Sequence, residues 1–136
     1  MEEDEELKLL KEKMLQELMK NLQKPKTKEI NKPIKITIEN FKDIISSNNL
    51  VLIDFWADWC QPCKIMEPII NELSKEFNNV VFGKVNVDEE PAIAQSFGIM
   101  SIPTFILFKN GKPQEILVGA RPKRDFENLI KRYIRE

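Results

Sequence analysis

Residues 50 to 64 read LVLIDFWADWCQPCK, and this stretch decides the fold. Leu50 to Trp56 is apolar except for Asp54, which is the pattern of a strand covered on both faces in a parallel sheet. Immediately afterwards the apolar spacing lengthens to that of a helix, whose buried face would consist of Cys63, Met66, Ile70, Leu73 and Phe77. The stretch therefore predicts a buried strand that passes directly into a helix, with a Cys-x-x-Cys motif at the junction.

Upstream of this stretch, the pattern predicts one strand and one short helix. The strand has one covered face, because its apolar residues alternate with polar ones: Ile34, Ile36 and Ile38. Asn40 can cap the helix, with Asp43 three residues later. The apolar residues of this helix are Phe41, Ile44 and Ile45.

Downstream, Val80 to Val87 reads as a second apolar strand, so strand, helix and strand predict a right-handed βαβ unit. A short helix over residues 89 to 97 is closed by Gly98. Two further strands joined by the turn Asn110-Gly111 predict an antiparallel hairpin over residues 104 to 118. A last amphipathic helix carries Phe126, Leu129, Ile130, Tyr133 and Ile134.

Residues 1 to 22 predict an amphipathic helix outside the main core. Its apolar residues fall on one stripe: Leu7, Leu10, Met14, Leu18 and Leu22. Acidic residues crowd its first turn, where the helix dipole favours negative charge. A basic linker follows over residues 23 to 33, so we expect residues 34 to 136 to form the main domain. The stripe is interpreted as a face that docks a partner or associates with a second copy.

Composition excludes several classes of function. The 136 residues suit one domain with a short appendage. A formal charge of -1 gives no reason to expect nucleic acid or an anionic membrane as the partner. No apolar run approaches the roughly 18 residues of a membrane span, and the acidic start differs from a basic secretory signal. We therefore expect a soluble, cytoplasmic protein.

The chain contains no histidine, which removes the usual neutral general base and every metal site that needs imidazole. It has only two cysteines, Cys60 and Cys63, so a closed zinc site of four thiolates would need a second chain. We expect no bound metal or cofactor. The chemistry that remains is that of two thiols.

Cys60 is predicted to lie where the strand ends and the helix begins. Unpaired backbone N–H groups and the helix dipole favour a thiolate there, and the pKa of a cysteine can fall from about 8.5 to about 7 or below. Cys60 is therefore the predicted nucleophile. Cys63, one turn further, is expected to be more buried and to act as the resolving thiol, while Pro62 stiffens the loop between them. A purely structural disulfide is the alternative.

Asp54 is the one charged residue in the predicted buried strand. Burial raises the pKa of a carboxyl, and without histidine this group is the candidate to take the proton of Cys63, through water. The alternative is a buried acid satisfied by backbone donors. Lys84 lies in the neighbouring predicted strand, where it either pairs with Asp54 and restrains the rise or occupies an exposed edge position.

Taken together, residues 34 to 136 resemble the thioredoxin family. The segment from Val51 to Lys64 is similar to the family's active-site stretch, and Ser101 to Thr104 is similar to its cis-proline loop. Phe108 to Lys112 is similar to its hairpin, and Val118 to Ala120 to its substrate-side glycine segment. The resemblance implies an α/β thioredoxin fold, with a central mixed β-sheet flanked by helices.

The resemblance also implies a cis Pro103 beside the sulfurs and a groove for an extended peptide of the target protein. The groove residues it implies are Trp56, Trp59, Ile102, Pro103 and Gly119, and we count Gln61 and Pro62 with this substrate-binding set. Gln61 stands where the family usually has glycine, so a thioredoxin-like reduction potential does not carry over.

The function that the resemblance implies is reduction of protein disulfides. Cys60 attacks the target disulfide, Cys63 releases the reduced target, and a separate thioredoxin reductase restores the dithiol. The expected partners are that reductase and disulfide-containing target proteins. The alternatives are a peptide-binding or chaperone-like module and a disulfide isomerase or oxidase.

Overall fold

The computed structural model of the protein describes residues 7 to 16 and 32 to 134. Helix α1 covers residues 7 to 16, and its side chains are exposed. The other predictions for residues 1 to 31, including the linker, lie outside the described residues. The later elements are β1 Ile34–Lys35, α2 Phe41–Ser47, β2 Leu50–Trp56, α3 Gln61–Glu76, β3 Val81–Asn86, α4 Pro91–Ser96, β4 Thr104–Lys109, β5 Lys112–Val118 and α5 Lys123–Ile134.

The five strands form one mixed sheet in the order β1-β3-β2-β4-β5. Strands β1 and β2 are parallel to β3, whereas β4 is antiparallel to β2 and to β5. The mixed sheet flanked by helices is confirmed. Because β2 and β3 are parallel neighbours, their carboxyl ends at Trp56 and Asn86 meet at the same edge of the sheet.

Alternate residues of β2 enter two different cores, as the two-residue period of a strand requires. Leu52 packs with Met66 of α3 and Phe126 of α5, while Phe55 packs on the opposite face with Ile93 of α4. Asp54 is two residues after Leu52, so it projects from the face that α3 covers.

The expected strand around Ile34, Ile36 and Ile38 is shorter than predicted, because β1 ends at Lys35 and Ile38 is exposed. Asn40 explains this early end. Its side chain accepts a hydrogen bond from the Thr37 amide at 2.7 Å and donates one to the Lys35 carbonyl at 3.0 Å, which turns the chain away from the sheet. Asn40 does occupy the N-cap position of α2, but its side chain makes no capping hydrogen bond to the helix.

The predicted hairpin is confirmed. Asn110 and Gly111 both have positive φ, 52° and 82°, as a two-residue type I′ turn requires. In the middle of β3, Gly83 leaves room for the side chain of Ile36, since a Cβ at Gly83 would lie 2.7 Å from Cγ1 of Ile36.

Candidate active site

The cysteine pair lies at the predicted junction between β2 and α3. Cys60 is the N-cap residue of α3, and its disulfide to Cys63 spans a Cα–Cα distance of 5.3 Å. The backbone N–H of Cys63 donates to the Cys60 Sγ at 3.3 Å. A backbone donor aimed at this sulfur, together with the helix dipole, would stabilise a thiolate on Cys60 after reduction.

The expectation that Cys63 is more buried than Cys60 is wrong for this disulfide form, since each residue is only 4% exposed. Both sulfurs belong to one small apolar cluster with Ala57, against which Val87 and Ile102 pack. The bond to Cys63 holds the Cys60 side chain over the first turn of the helix and covers it. The environments of the two sulfurs differ in hydrogen bonding, because the backbone N–H of Cys63 is directed at the Cys60 sulfur.

Gln61 and Pro62 lie between the two cysteines and are exposed on the first turn of α3. Pro62 falls within the first two helical positions, where its missing N–H costs no helical hydrogen bond. Both side chains are therefore accessible to a target that approaches the disulfide.

Asp54 is buried beneath α3, with 3% of its surface exposed, and no hydrogen bond reaches its Oδ1. The alternative, a buried acid whose oxygens are satisfied by backbone donors, is therefore wrong for Oδ1. Desolvation by burial raises the pKa of Asp54 to about 7, although the positive charge of Lys84 lowers it and the negative charge of Glu67 raises it. A carboxyl with this pKa can both take and release a proton near neutral pH.

Lys84 lies directly across from Asp54 in the register of β2 and β3, and β3 is an inner strand, so the edge alternative is wrong. Its ammonium nevertheless makes its ion pair with Glu67, at 4.0 Å, rather than with Asp54. It also lies 4.5 Å from the centroid of the Trp56 ring. Lys84 does lower the pKa of Asp54 as predicted, but through the electrostatic effect of its charge and not through a direct ion pair.

The peptide bond between Ile102 and Pro103 is cis, as the resemblance implies. The Thr104 hydroxyl donates to the Ser101 carbonyl at 2.5 Å, and the Gly119 amide donates to the Pro103 carbonyl at 2.8 Å. These bonds tie the loop to the ends of β4 and β5. Ile102 is the residue of this loop that packs against the two cysteines.

An apolar hollow of about 380 Å³ lies beside the disulfide, lined by Trp59, Val87, Ile99, Met100, Ser101 and Ile102. Trp59 is 68% exposed, and its indole Nε1 donates to Asp88 at 2.9 Å, which fixes the ring at the rim. The hollow brings together two of the predicted groove residues, Trp59 and Ile102. The three others, Trp56, Pro103 and Gly119, do not line it, and Trp56 faces a second hollow with Lys84.

Sequence reasoning missed Glu67, Asp88 and Met100. Met100 is 97% exposed, because it lies in the loop between α4 and Pro103. The signal that could have revealed it is an apolar pair, Ile99 and Met100, in a segment with neither strand nor helix spacing. Glu67 could have been found from its position four residues after Cys63, which places it on the same side of the helix.

Two kinds of site are absent from the part of the chain that the structure describes. Residues 7 to 16 and 32 to 134 contain no group of three or more Cys, Asp or Glu side chains that could hold a metal ion. In the same residues, no helix has the length and apolar character needed to cross a bilayer.

The site combines a disulfide at a helix N-terminus, a carboxyl buried beneath that helix and an apolar hollow beside the disulfide. These features define a dithiol-disulfide exchange protein. The thioredoxin family model matches residues 32 to 132. The thioredoxin of Chlamydia caviae is 45% identical over 98 residues, which cover 72% of this chain and 95% of that protein. The thioredoxin of Buchnera aphidicola is 43% identical over 103 residues, or 74% and 95%. The chain belongs to the thioredoxin family.

Solved structures agree with this assignment. An N21Q mutant thioredoxin from Halobacterium salinarum superposes with a TM-score of 0.73 at 34% identity, covering 76% of this chain and 91% of that one. The thioredoxin of Plasmodium falciparum superposes with a TM-score of 0.69 at 40% identity, covering 74% and 98%. The protein is thus a thiol-disulfide oxidoreductase that reduces protein disulfides through a reversible Cys60/Cys63 dithiol-disulfide cycle.

Proposed function

We propose that Cys60 is the attacking thiol of this cycle and Cys63 the resolving thiol. The Cys60 thiolate forms a bond to one sulfur of the target disulfide, and the other target sulfur leaves as a thiolate that takes a proton from water. Cys63 then loses its proton, attacks the Cys60 sulfur and releases the second target thiol. Two electrons pass from the protein to the target. The observation that carries these roles is the backbone N–H directed at Cys60.

Alkylation of the reduced protein tests the two roles. Cys60 is expected to react with iodoacetamide with an apparent pKa below the ordinary value of about 8.5, and faster than Cys63 at pH 7. Single-cysteine variants, Cys60→Ser and Cys63→Ser, assign each rate to one sulfur. Equal rates with ordinary pKa values for both thiols would contradict the proposal.

Asp54 is proposed as the group that takes the Cys63 proton during the second step. Its burial beneath the helix that carries Cys63, and its pKa of about 7, support this role. Lys84 is proposed to moderate the proton affinity of Asp54 from the neighbouring strand. The sequence contains no histidine, so no imidazole of this chain can take the proton instead.

The hollow beside the disulfide is proposed to bind apolar side chains next to the target cysteine. A change of Met100 to glutamate should therefore raise KM for insulin about tenfold, since it buries a charge against an apolar target. It should leave the rate with a small disulfide reagent nearly unchanged. Ile116→Glu is the matched control, because Ile116 is exposed on β5 and does not line the hollow. Equal effects of the two changes would contradict this assignment.

The dithiol is proposed to be restored by a separate thioredoxin reductase, with no cofactor bound to this chain. Such a cycle requires a reducing compartment, and the cytoplasm is the one we propose. Residues 1 to 22 are proposed to take no part in the exchange chemistry. The family match begins at residue 32, which supports their description as an appendage joined by a linker. The role of their apolar stripe in docking or self-association stays a prediction.

A further inference from the structure

Three charged residues, Asp54, Lys84 and Glu67, interact with one another where α3 covers the sheet, and Glu67 takes no part in the exchange steps. Glu67 follows Cys63 by four residues, so the two side chains lie on the same side of the helix, one turn apart. The side chain of Glu67 is 54% exposed, whereas that of Lys84 is 22% exposed. Glu67 therefore lies at the surface, above a largely covered cation.

Lys84 contacts two groups other than the buried carboxyl of Asp54. Its Nζ is 4.0 Å from Glu67 Oε1 and 4.5 Å from the centre of the Trp56 ring. Asp54 is its register neighbour on β2, yet Asp54 Oδ1 has no hydrogen-bond partner among the described residues. A flexible lysine stem could direct its ammonium to either acid, and in the oxidised protein it is directed to Glu67.

The surroundings of Asp54 leave few other charges that could compete. On its other side, β4 presents Phe105 in register, and Phe126 of α5 packs on that ring. The remaining buried face of α3 is apolar apart from Ser74. Further out, the hollow that Lys84 shares with Trp56 is also lined by Lys35, Asp58 and Glu89, and Lys35 pairs with Glu89 at 3.4 Å. A second hollow beside Lys84 is lined by two more cations, Lys32 and Lys75.

We propose that Glu67 is a positioning residue of the exchange reaction, because its carboxylate holds the Lys84 ammonium outward and keeps it from pairing with Asp54. The inference rests on the proposed role of Asp54 as proton acceptor for Cys63. With Lys84 held outward, the buried carboxyl keeps enough proton affinity to serve as a base at neutral pH. Without Glu67, Lys84 turns inward, and Asp54 becomes a weaker base that is ionised over more of the neutral pH range.

The test is a Glu67→Gln variant of the full chain, in which the Asp54 carboxyl is titrated by carbon NMR in the oxidised protein. The titration midpoint of Asp54 is expected to fall by about one pH unit, since a like charge is removed and an opposite charge approaches. The acid limb of the pH profile for resolution of the mixed disulfide should move in the same direction. Glu72→Gln is the matched control, because Glu72 lies on the same helix and pairs with Lys123 at 3.5 Å.

Repeating Glu67→Gln in a Lys84→Met background distinguishes two effects of Glu67. One is the positioning of Lys84, and the other is direct repulsion between the Glu67 and Asp54 carboxylates. Positioning predicts that Glu67→Gln moves the Asp54 midpoint much less when Lys84 is absent. An equal movement in both backgrounds, or an unmoved midpoint in Glu67→Gln alone, would overturn the inference.

The role of Asp54 itself is tested independently with Asp54→Asn. If its pH profile for resolution matches that of the wild type while the NMR midpoint still moves in Glu67→Gln, the proton-transfer role of Asp54 fails. The positioning of Lys84 by Glu67 would then stand as a structural fact without a catalytic consequence, and the inference about the exchange reaction would be overturned.

Discussion

A Cys60→Ser variant is expected to lose reduction of insulin disulfides by at least about a thousandfold, measured in a dithiothreitol-driven turbidity assay. A serine hydroxyl at this helix N-terminus stays protonated near neutral pH, so it cannot replace a thiolate as the attacking group. Serine is a favourable residue at the N-cap position that Cys60 occupies, so the loss should appear without unfolding, which circular dichroism can check.

Cys63→Ser gives the contrasting result. The first attack by Cys60 remains possible, but the mixed disulfide can no longer be resolved within the protein. Covalent complexes with target proteins should therefore accumulate on non-reducing gels and disappear on addition of dithiothreitol. A Cys60→Ser variant that turns over at the wild-type rate would contradict the exchange mechanism and would favour a peptide-binding function instead.

An Asp54→Ala variant is expected to be more stable than the wild type at pH 8, by up to about 4 kcal/mol before the cost of the small cavity it leaves. Burial raises the pKa of Asp54 from 3.8 to about 7. Between these two pH values the folded protein holds a proton that the unfolded chain has released. The contribution of Asp54 to wild-type stability therefore falls as the pH rises from about 4 to about 7 and stays level above that range.

Urea unfolding of the oxidised protein at pH 4 and at pH 8 measures this difference. At pH 4 the carboxyl is neutral in the folded state, so the variant should have no advantage and should show only the cost of its cavity. A constant difference in the free energy of unfolding at the two pH values would mean that Asp54 does not titrate as its burial requires.

The same variant should slow resolution of the mixed disulfide by about a hundredfold, the lower end of what a positioned general base contributes. Rapid-mixing kinetics with a stable mixed disulfide would isolate this step. Unchanged kinetics from pH 6 to pH 9 would contradict proton transfer through Asp54, even if the stability gain were observed.

Features that depend on the period of apolar residues could be predicted from the sequence. The change from strand to helix spacing after Trp56 locates Cys60 at the start of α3, and the isolated charge of Asp54 in a buried strand indicates its raised pKa. The Asn110-Gly111 turn is equally local, because its backbone angles depend on those two residues. The cis state of Pro103 came only from the resemblance to the family.

Features that depend on contacts between distant elements could not be predicted. Periodicity says which face of α3 is buried, but not that Glu67 on its margin reaches Lys84. The equal burial of the two cysteines follows from ring closure, and the exposure of Met100 follows from a loop path that has no period. The side chain of Asn40 could bond either the start of α2 or the preceding segment, and the sequence does not decide between them. In the structure it bonds the backbone of Thr37 and Lys35.

The central position of β2 has a consequence for the energetics of electron transfer. Its backbone is held by β3 on one side and β4 on the other, so the support of the sulfur ring cannot shift much when the ring opens or closes. The reorganisation free energy that accompanies a change of oxidation state should then be small in both directions. A carrier built in this way can change oxidation state with little movement of its frame, and the direction of transfer follows from the difference between its reduction potential and that of its partner.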